Sequence, residues 1–330
     1  MSRQKLQQRR HKRSILSLVA FLLLATAWGC NQAPQETQTQ QTQEATAPQP
    51  TEQIRVVATF LPMYWFTRAV AGDRAQVEIL VPPGAEVHDY QATPADVQAI
   101  ATADVLVKNG LGMEDFLEGT IQNAANPDLQ QIDASSGIET VGEISPVESA
   151  GGHGHSHSHG DSEGGNPHVW LDPVLAIQQV ENIRDGLIAA DPANEDAYQA
   201  NAAAYIQQLE ETHNQFEQRL QFPNCTFITF HDAYPYLANR YQLQQVAVVE
   251  IPEDQPSPGD IQRAINAVKK YDAQAIFSEP GVDNNLIQSL SQDLNLTVHS
   301  IDSLEAGPTD PQHYFTAMNE NLQTIESACQ

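Results

Sequence analysis

From Ile54 onward, short apolar runs alternate with stretches whose apolar residues recur at helical spacing. Ile54–Thr59 and Val77–Val81 read as strands, with an amphipathic segment around Met63–Val70 between them. Pro94–Thr102 reads as a helix and Val105–Lys108 as a further strand. The theme returns after residue 222. There Thr226–Phe230, Gln245–Val249, Ala275–Phe277 and Thr297–Ile301 are strand-like, with helices at Pro258–Lys270 and Asn284–Asp293. Strands that alternate with helices imply parallel βαβ units. The expected fold class is therefore α/β: two parallel-sheet α/β lobes, residues 52–175 and 222–330, joined through a helical region at 176–221.

That region contains one long helix. Asp191-Pro192 offers an N-cap and a first-turn proline, and Glu195 and Asp196 sit where the helix dipole favours acids. No Gly or Pro occurs from Ala193 to Leu220, and Tyr198, Tyr205, Leu209, Phe216 and Leu220 step by seven and four along one face. At 1.5 Å per residue the helix spans roughly 40 Å, which predicts a rigid connector and small lobe motions.

The N-terminus is built differently. Met1–Arg13 holds six of the chain's sixteen Lys/Arg and no acid, and Ile15–Ala27 is mostly apolar but too short to cross a bilayer comfortably. Residues 1–30 thus read as an export signal. Its end, Ala27-Trp28-Gly29-Cys30, resembles a bacterial lipobox that would lipidate Cys30, although Trp28 and Ala27 depart from the pattern; the alternative is a soluble product cut nearby. Residues 31–51 form a Gln/Thr/Pro tract that cannot bury enough surface to order itself, and so read as a disordered linker. Beyond residue 30 ten cations face 42 acids, a net charge of −32. So acidic a body excludes nucleic-acid binding, which needs clustered cations. Three cysteines without a Cys-x-x-Cys pair exclude thiolate zinc fingers and iron–sulfur clusters.

The eleven histidines fall into classes. His11 lies in the export signal, and His213 and His313 read as solvated. His299 sits within a strand and reads as hydrogen-bonded. Three others share a location. His88 follows a strand through Pro82-Pro83-Gly84, His231 directly follows Thr226–Phe230, and His168 precedes Val169-Trp170-Leu171-Asp172-Pro173. Ligands of open parallel sheets bind beyond the carboxyl ends of strands. Asp302, straight after Thr297–Ile301, falls at that same edge. Three imidazoles and one carboxylate make a full tetrahedral set for Zn²⁺. Separately, His153, His155, His157 and His159 alternate with Gly or Ser and precede Asp161 and Glu163. Loop 151–165 therefore reads as a second, poorly preorganised metal-binding element.

Ordered motifs across the body carry a family resemblance. Val56-Val57-Ala58-Thr59-Phe60, Val81-Pro82-Pro83-Gly84-Ala85-Glu86-Val87-His88-Asp89-Tyr90, Thr93-Pro94-Ala95-Asp96 and Asn109-Gly110-Leu111-Gly112-Met113-Glu114 come first. Asn166–Pro173, Phe230-His231-Asp232-Ala233-Tyr234, Phe277-Ser278-Glu279-Pro280, Asp302-Ser303-Leu304 and Gly307-Pro308 complete the series. Together they resemble the zinc/manganese solute-binding proteins of ABC importers, the ZnuA-type family, from about Ile54 to the C-terminus. The resemblance implies two α/β lobes joined by one long helix with metal in the inter-lobe cleft. It implies a non-enzymatic periplasmic receptor, monomeric, that passes Zn²⁺ to an inner-membrane ABC permease and touches the membrane only through a lipid anchor or that docking. His at the position of His231 implies zinc, where manganese members more often carry a carboxylate. Some zinc members place Glu directly before the first His; here that residue is Val87, so Asp302 stands first as fourth ligand, with Glu86 or water in reserve. Cys225 and Cys329 could pair in an oxidising compartment, or stay as two thiols. A metal buffer centred on loop 151–165 and a zinc hydrolase remain alternatives, the latter without a His-Glu-x-x-His or Gly-x-Ser-x-Gly motif. Deleting residues 151–165 should leave one tight zinc equivalent in a chelator competition if the protein is a receptor, and remove most of the binding capacity if it is a buffer.

Overall fold

The computed structural model describes residues 53–141, 165–249, 257–280 and 284–330. The first half contains β1 (Ile54–Ala58), α1 (Leu61–Ala71), β2 (Ala75–Ile79), α2 (Pro94–Thr102), β3 (Val105–Lys108), α3 (Glu118–Ala124) and β4 (Gln130–Asp133). Two long helices follow, α4 (Pro173–Ala190) and α5 (Glu195–Arg219). The second half contains β5 (Thr226–His231), α6 (Pro235–Arg240), β6 (Gln244–Val249), α7 (Pro258–Tyr271), β7 (Ala275–Ser278), α8 (Asn284–Leu294), β8 (Val298–Ser300) and α9 (His313–Cys329). Each half forms a four-stranded parallel sheet, and the strand orders correspond: β2-β1-β3-β4 and β6-β5-β7-β8. In both sheets the order reverses beside the first strand, so the switch points lie at the carboxyl ends of β1/β3 and β5/β7.

Local sequence accounts for the elements. α2 starts at a capping box: Thr93 accepts from the Asp96 N–H while the Asp96 carboxylate accepts from the Thr93 N–H. Asp172 caps α4 by accepting from the Val174 N–H at 2.9 Å. The long connector begins as a single 3₁₀ turn, Pro192–Asn194, before becoming α-helical. Asp191 serves this turn without capping a backbone N–H; its carboxylate accepts from the Asn194 amide and the Tyr198 hydroxyl. Tyr198, Tyr205, Leu209, Phe216 and Leu220 are all buried, so the apolar stripe is the packed face of α5. Burial of one such aromatic side chain contributes about 2–3 kcal/mol.

Apolar packing does not stop at the lobe boundary. One cluster runs from Val56, Phe60 and Trp65 through Trp170 and Phe216 to Phe227, Phe277 and Tyr314. A second, with Ile228, Val246, Ile276 and Leu290, belongs to the second lobe alone. Polar ties cross the same boundary. Trp170 Nε1–H donates to the Ser303 carbonyl at 2.9 Å, and the Tyr314 hydroxyl donates to the Trp170 carbonyl at 2.8 Å. Trp65 Nε1–H donates to the Pro308 carbonyl at 2.9 Å. Arg240 Nε donates to the buried Asp172 carboxylate at 2.7 Å. These ties join the halves beside the long helix and leave the strand ends to form the cleft.

Cys225 and Cys329 form a disulfide with Cα atoms 5.8 Å apart, joining the entry to β5 to the end of α9. The two residues are 104 positions apart, and a loop of that size loses several kcal/mol of unfolded-state entropy when closed. Replacing both cysteines by serine should lower the thermal midpoint by about 5–10 °C in calorimetry. An unchanged midpoint would show that the bridge contributes nothing to stability.

Candidate metal centre

Four chain segments bring one side chain each to the cleft. His88 lies in the loop after β2, which leaves the sheet through two prolines. His168 lies just ahead of the 3₁₀ turn Val169–Leu171 and the capped start of α4. His231 is the last residue of β5, at the switch point of the second sheet. The fourth is Glu305, in the turn between β8 and α9.

Their donor atoms all lie within 4.8 Å of one another. His88 Nε2 is 2.9 Å from Glu305 Oε1 and 3.3 Å from His168 Nε2. His168 Nε2 is 3.6 Å from the same oxygen, and His231 Nε2 is 3.7 Å from Glu305 Oε2. The four side chains are nearly sealed from solvent, His168 and His231 almost completely.

Glu305 stands at the corner expected for Asp302, and the turn explains why. The Asp302 carboxylate accepts from the Leu304 N–H at 2.7 Å and so closes its own turn. Leu304 is forced to φ 65°, which reverses the chain and aims the next side chain back at the histidines. Asn321 of α9 clamps the backbone of Asp302 from both sides, accepting from its N–H at 2.8 Å and donating to its carbonyl at 2.7 Å. Ser303 Oγ then donates to Glu305 Oε2 at 2.6 Å. The signal was available in Asp302-Ser303-Leu304-Glu305: an aspartate that caps its own turn is occupied, and the next acid is the one that can face the histidines. Glu86 lies outside the four-residue group. It lines a cavity of about 220 Å³ together with His231, Glu279, Asp302 and Glu305.

Two of the imidazoles have an acceptor behind them. Asn166 Oδ1 lies 3.0 Å from both the His168 backbone N and its Nδ1. His231 Nδ1 makes an ion-pair contact with Glu279 Oε2. The other oxygen, Glu279 Oε1, accepts from the Phe230 and His231 N–H groups at 3.0 and 3.2 Å. In both rings Nε2 is the nitrogen left facing the centre.

Burial and charge set distinct protonation states. Burial drives the His168 pKa down to about 4 despite the neighbouring Glu305. Burial also opposes protonation of His231, but the Glu279 carboxylate, then Glu305 and Asp232, outweigh it and carry its pKa up to about 9. For Glu305 burial opposes ionisation, yet hydrogen bonds and charge from His168 and His88 hold the carboxyl well below its ordinary range. Glu305 is thus held towards its ionised form, His168 towards its neutral form and His231 towards its protonated form.

The remaining histidines are partnered. His213, expected to be solvated, is half-buried on α5 with Nδ1 3.0 Å from the Tyr241 hydroxyl. His313, also expected in solvent, packs edge-on against Trp65 with ring centroids 5.5 Å apart and covers Gly307. A Cβ at Gly307, whose φ is +146°, would meet the His313 ring at 2.7 Å. His299 lies on the edge strand β8 and packs edge-on against Phe277. Cys30, the export signal and His153, His155, His157 and His159 lie outside the described residues.

Comparison with known proteins agrees with this site-bearing fold. The profile of the family described as "Zinc-uptake complex component A periplasmic" matches residues 56–328. The high-affinity zinc uptake system protein ZnuA of Bacillus subtilis is 30% identical over 283 residues, covering 84% of this chain and 88% of the relative. The manganese-binding lipoprotein MntA of Halalkalibacterium halodurans is 29% identical over 329 residues, 96% of this chain and 98% of the relative. Among solved structures, the Zn(II)-bound ZnuA-like domain of Streptococcus pneumoniae AdcA superposes with a TM-score of 0.68 at 30% identity, covering 84% of this chain and 99% of that domain. A profile matched from the first strand to the last helix, on two lobes whose strand ends meet at one cleft, places this chain in the ZnuA family of solute-binding receptors.

Proposed function

We propose that the protein captures Zn²⁺ outside the cytoplasmic membrane and passes it to the permease of an ABC importer. The observation that carries this reading is the convergence of His88, His168, His231 and Glu305 on one buried point. Three imidazoles and one carboxylate complete the four-coordinate shell that Zn²⁺ favours. Nitrogen-rich ligation also suits zinc better than the harder Mn²⁺. Manganese is the second reading, carried by the manganese-binding relative that matches nearly the whole chain; the imidazole of His231 weighs against it. A hydrolytic centre would need an open coordination position for water, and four protein donors leave none. The receptor would act as a monomer, tethered through Cys30 and the linker at residues 31–51, with loop 151–165 as an accessory metal-binding element.

Competition against a chromophoric chelator tests the ligand set. The wild type should take up one tight zinc equivalent that manganese does not displace. His231→Ala and Glu305→Gln should each weaken zinc binding at least tenfold, whereas Asp302→Asn, which can still close its turn, should stay within about threefold. Loss of tight zinc in Asp302→Asn with retention in Glu305→Gln would reverse the assignment of the carboxylate.

Proton linkage supplies an independent check. A metal ligand must be deprotonated, and the raised pKa of His231 keeps it protonated up to about 9. Zinc must therefore displace that proton at neutral pH, and its affinity should climb with pH until about 9. Calorimetry at pH 7.5 in buffers of different ionisation enthalpy should report close to one proton released per zinc. Release near zero would contradict a protonated His231 at this site.

A further inference from the structure

Glu279 and Glu114 occupy matching places in the two lobes, each buried at the switch point of its sheet. Glu114 has hydrogen-bond donors on both oxygens: Oε1 accepts from the Thr59 hydroxyl at 2.8 Å and the Asn109 N–H at 2.7 Å, and Oε2 from the Gly110 N–H at 3.0 Å. Its Oε1 ties the ends of β1 and β3 together, and its Oε2 holds the loop that follows β3. Glu279 ties strand ends with Oε1 alone, through the Phe230 and His231 N–H groups. Its Oε2 is buried beside the His231 Nδ1 as its ion-pair partner, and among the described residues neither of these two atoms has a hydrogen-bond partner. A latch between strands would not need that second oxygen.

We propose that Glu279 is a positioning residue for metal capture: its Oε2 keeps the proton of His231 on Nδ1 and so reserves Nε2 for the metal. The proposal rests on the zinc-receptor reading and adds to it the residue that selects the tautomer of the third ligand. An imidazole carries its ring proton on one nitrogen when neutral, and an acceptor behind one nitrogen decides which. A carboxylate can only accept, so it holds the proton on Nδ1 and turns the lone pair of Nε2 towards His88, His168 and Glu305. Carboxylate backing also raises the basicity of a metal-bound imidazole and fixes the ring plane. His168 receives the same service from a neutral amide oxygen, Asn166 Oδ1. His231 is the ligand that ends a strand, with little freedom to adjust, and it has the charged partner.

Glu279→Gln separates positioning from support. The glutamine carbonyl oxygen can still accept from the Phe230 and His231 N–H groups. That orientation turns the amide NH₂ towards Nδ1, where a donor meets a donor or forces the proton onto Nε2. The expected result is a variant that still folds cooperatively, with zinc binding weakened about 10–100-fold in chelator competition. Co²⁺-loaded Glu279→Gln should show an altered ligand-field spectrum relative to wild type. In the zinc-loaded wild type, long-range ¹H–¹⁵N spectra should place the His231 ring proton on Nδ1 and the metal on Nε2. Zinc affinity within threefold of wild type in a stable Glu279→Gln variant would overturn the proposal. So would a His231 bound through Nδ1 in the wild type, a result that stands even if the variant fails to fold. His231→Ala serves as the control: if it keeps tight zinc, the receptor site itself has been misassigned, and the fault lies there and not with Glu279.

Discussion

A buried negative charge needs a positive or hydrogen-bonding surround, and Glu305 has one where three imidazoles and the Ser303 hydroxyl meet it. That requirement organises the molecule. Two of the imidazoles come from the first half of the chain; the third and the carboxylate come from the second. The second half supplies the Ser303 hydroxyl and His231, and the first half adds His88 and His168. Parallel sheets meet the need because they place every strand end on one side, so that His231 at the end of β5 faces the loops that carry His88 and His168.

The lobes are held for this purpose by packing as much as by covalent connection. Phe60, Trp170 and Tyr314 share one apolar cluster, and Trp170 is tied to Ser303, two residues from Glu305, while lying two residues from His168. The hydrogen bond that joins the halves therefore also sets the spacing between a histidine of one half and the carboxylate of the other. α9 contributes twice: its Asn321 fixes Asp302, and its final cysteine is bonded to the residue before β5. A distortion of that helix would reach the cleft through the turn it holds.

How much of this was legible beforehand follows from what kind of information each feature uses. The apolar strands β1, β3, β5 and β7 are runs that must be buried, and they show in the pattern. β4 does not, because Gln130–Asp133 is a polar edge strand with one buried residue, Ile132. The histidines at strand ends could be collected into one site because strand direction alone places them together. Glu305 could not, since its approach depends on the backbone reversal at Leu304, and strand counting stops at Asp302. His213 and His313 looked solvated for a similar reason. Their partners, Tyr241 and Trp65, are distant in sequence and become neighbours only when helices pack.

The ties across the lobe boundary bear finally on how an empty receptor differs from a full one. With a common core and a helix of 25 residues beside it, the halves are held in register by packing that does not involve the four donors. A bound divalent cation would add positive charge at the floor of a strongly acidic body. A membrane partner that distinguishes the two forms would then be reading a local change of potential at the cleft, whose lining includes Glu86 and Asp302, more than a change of outline. The signal would be electrical, and it would weaken as salt rises.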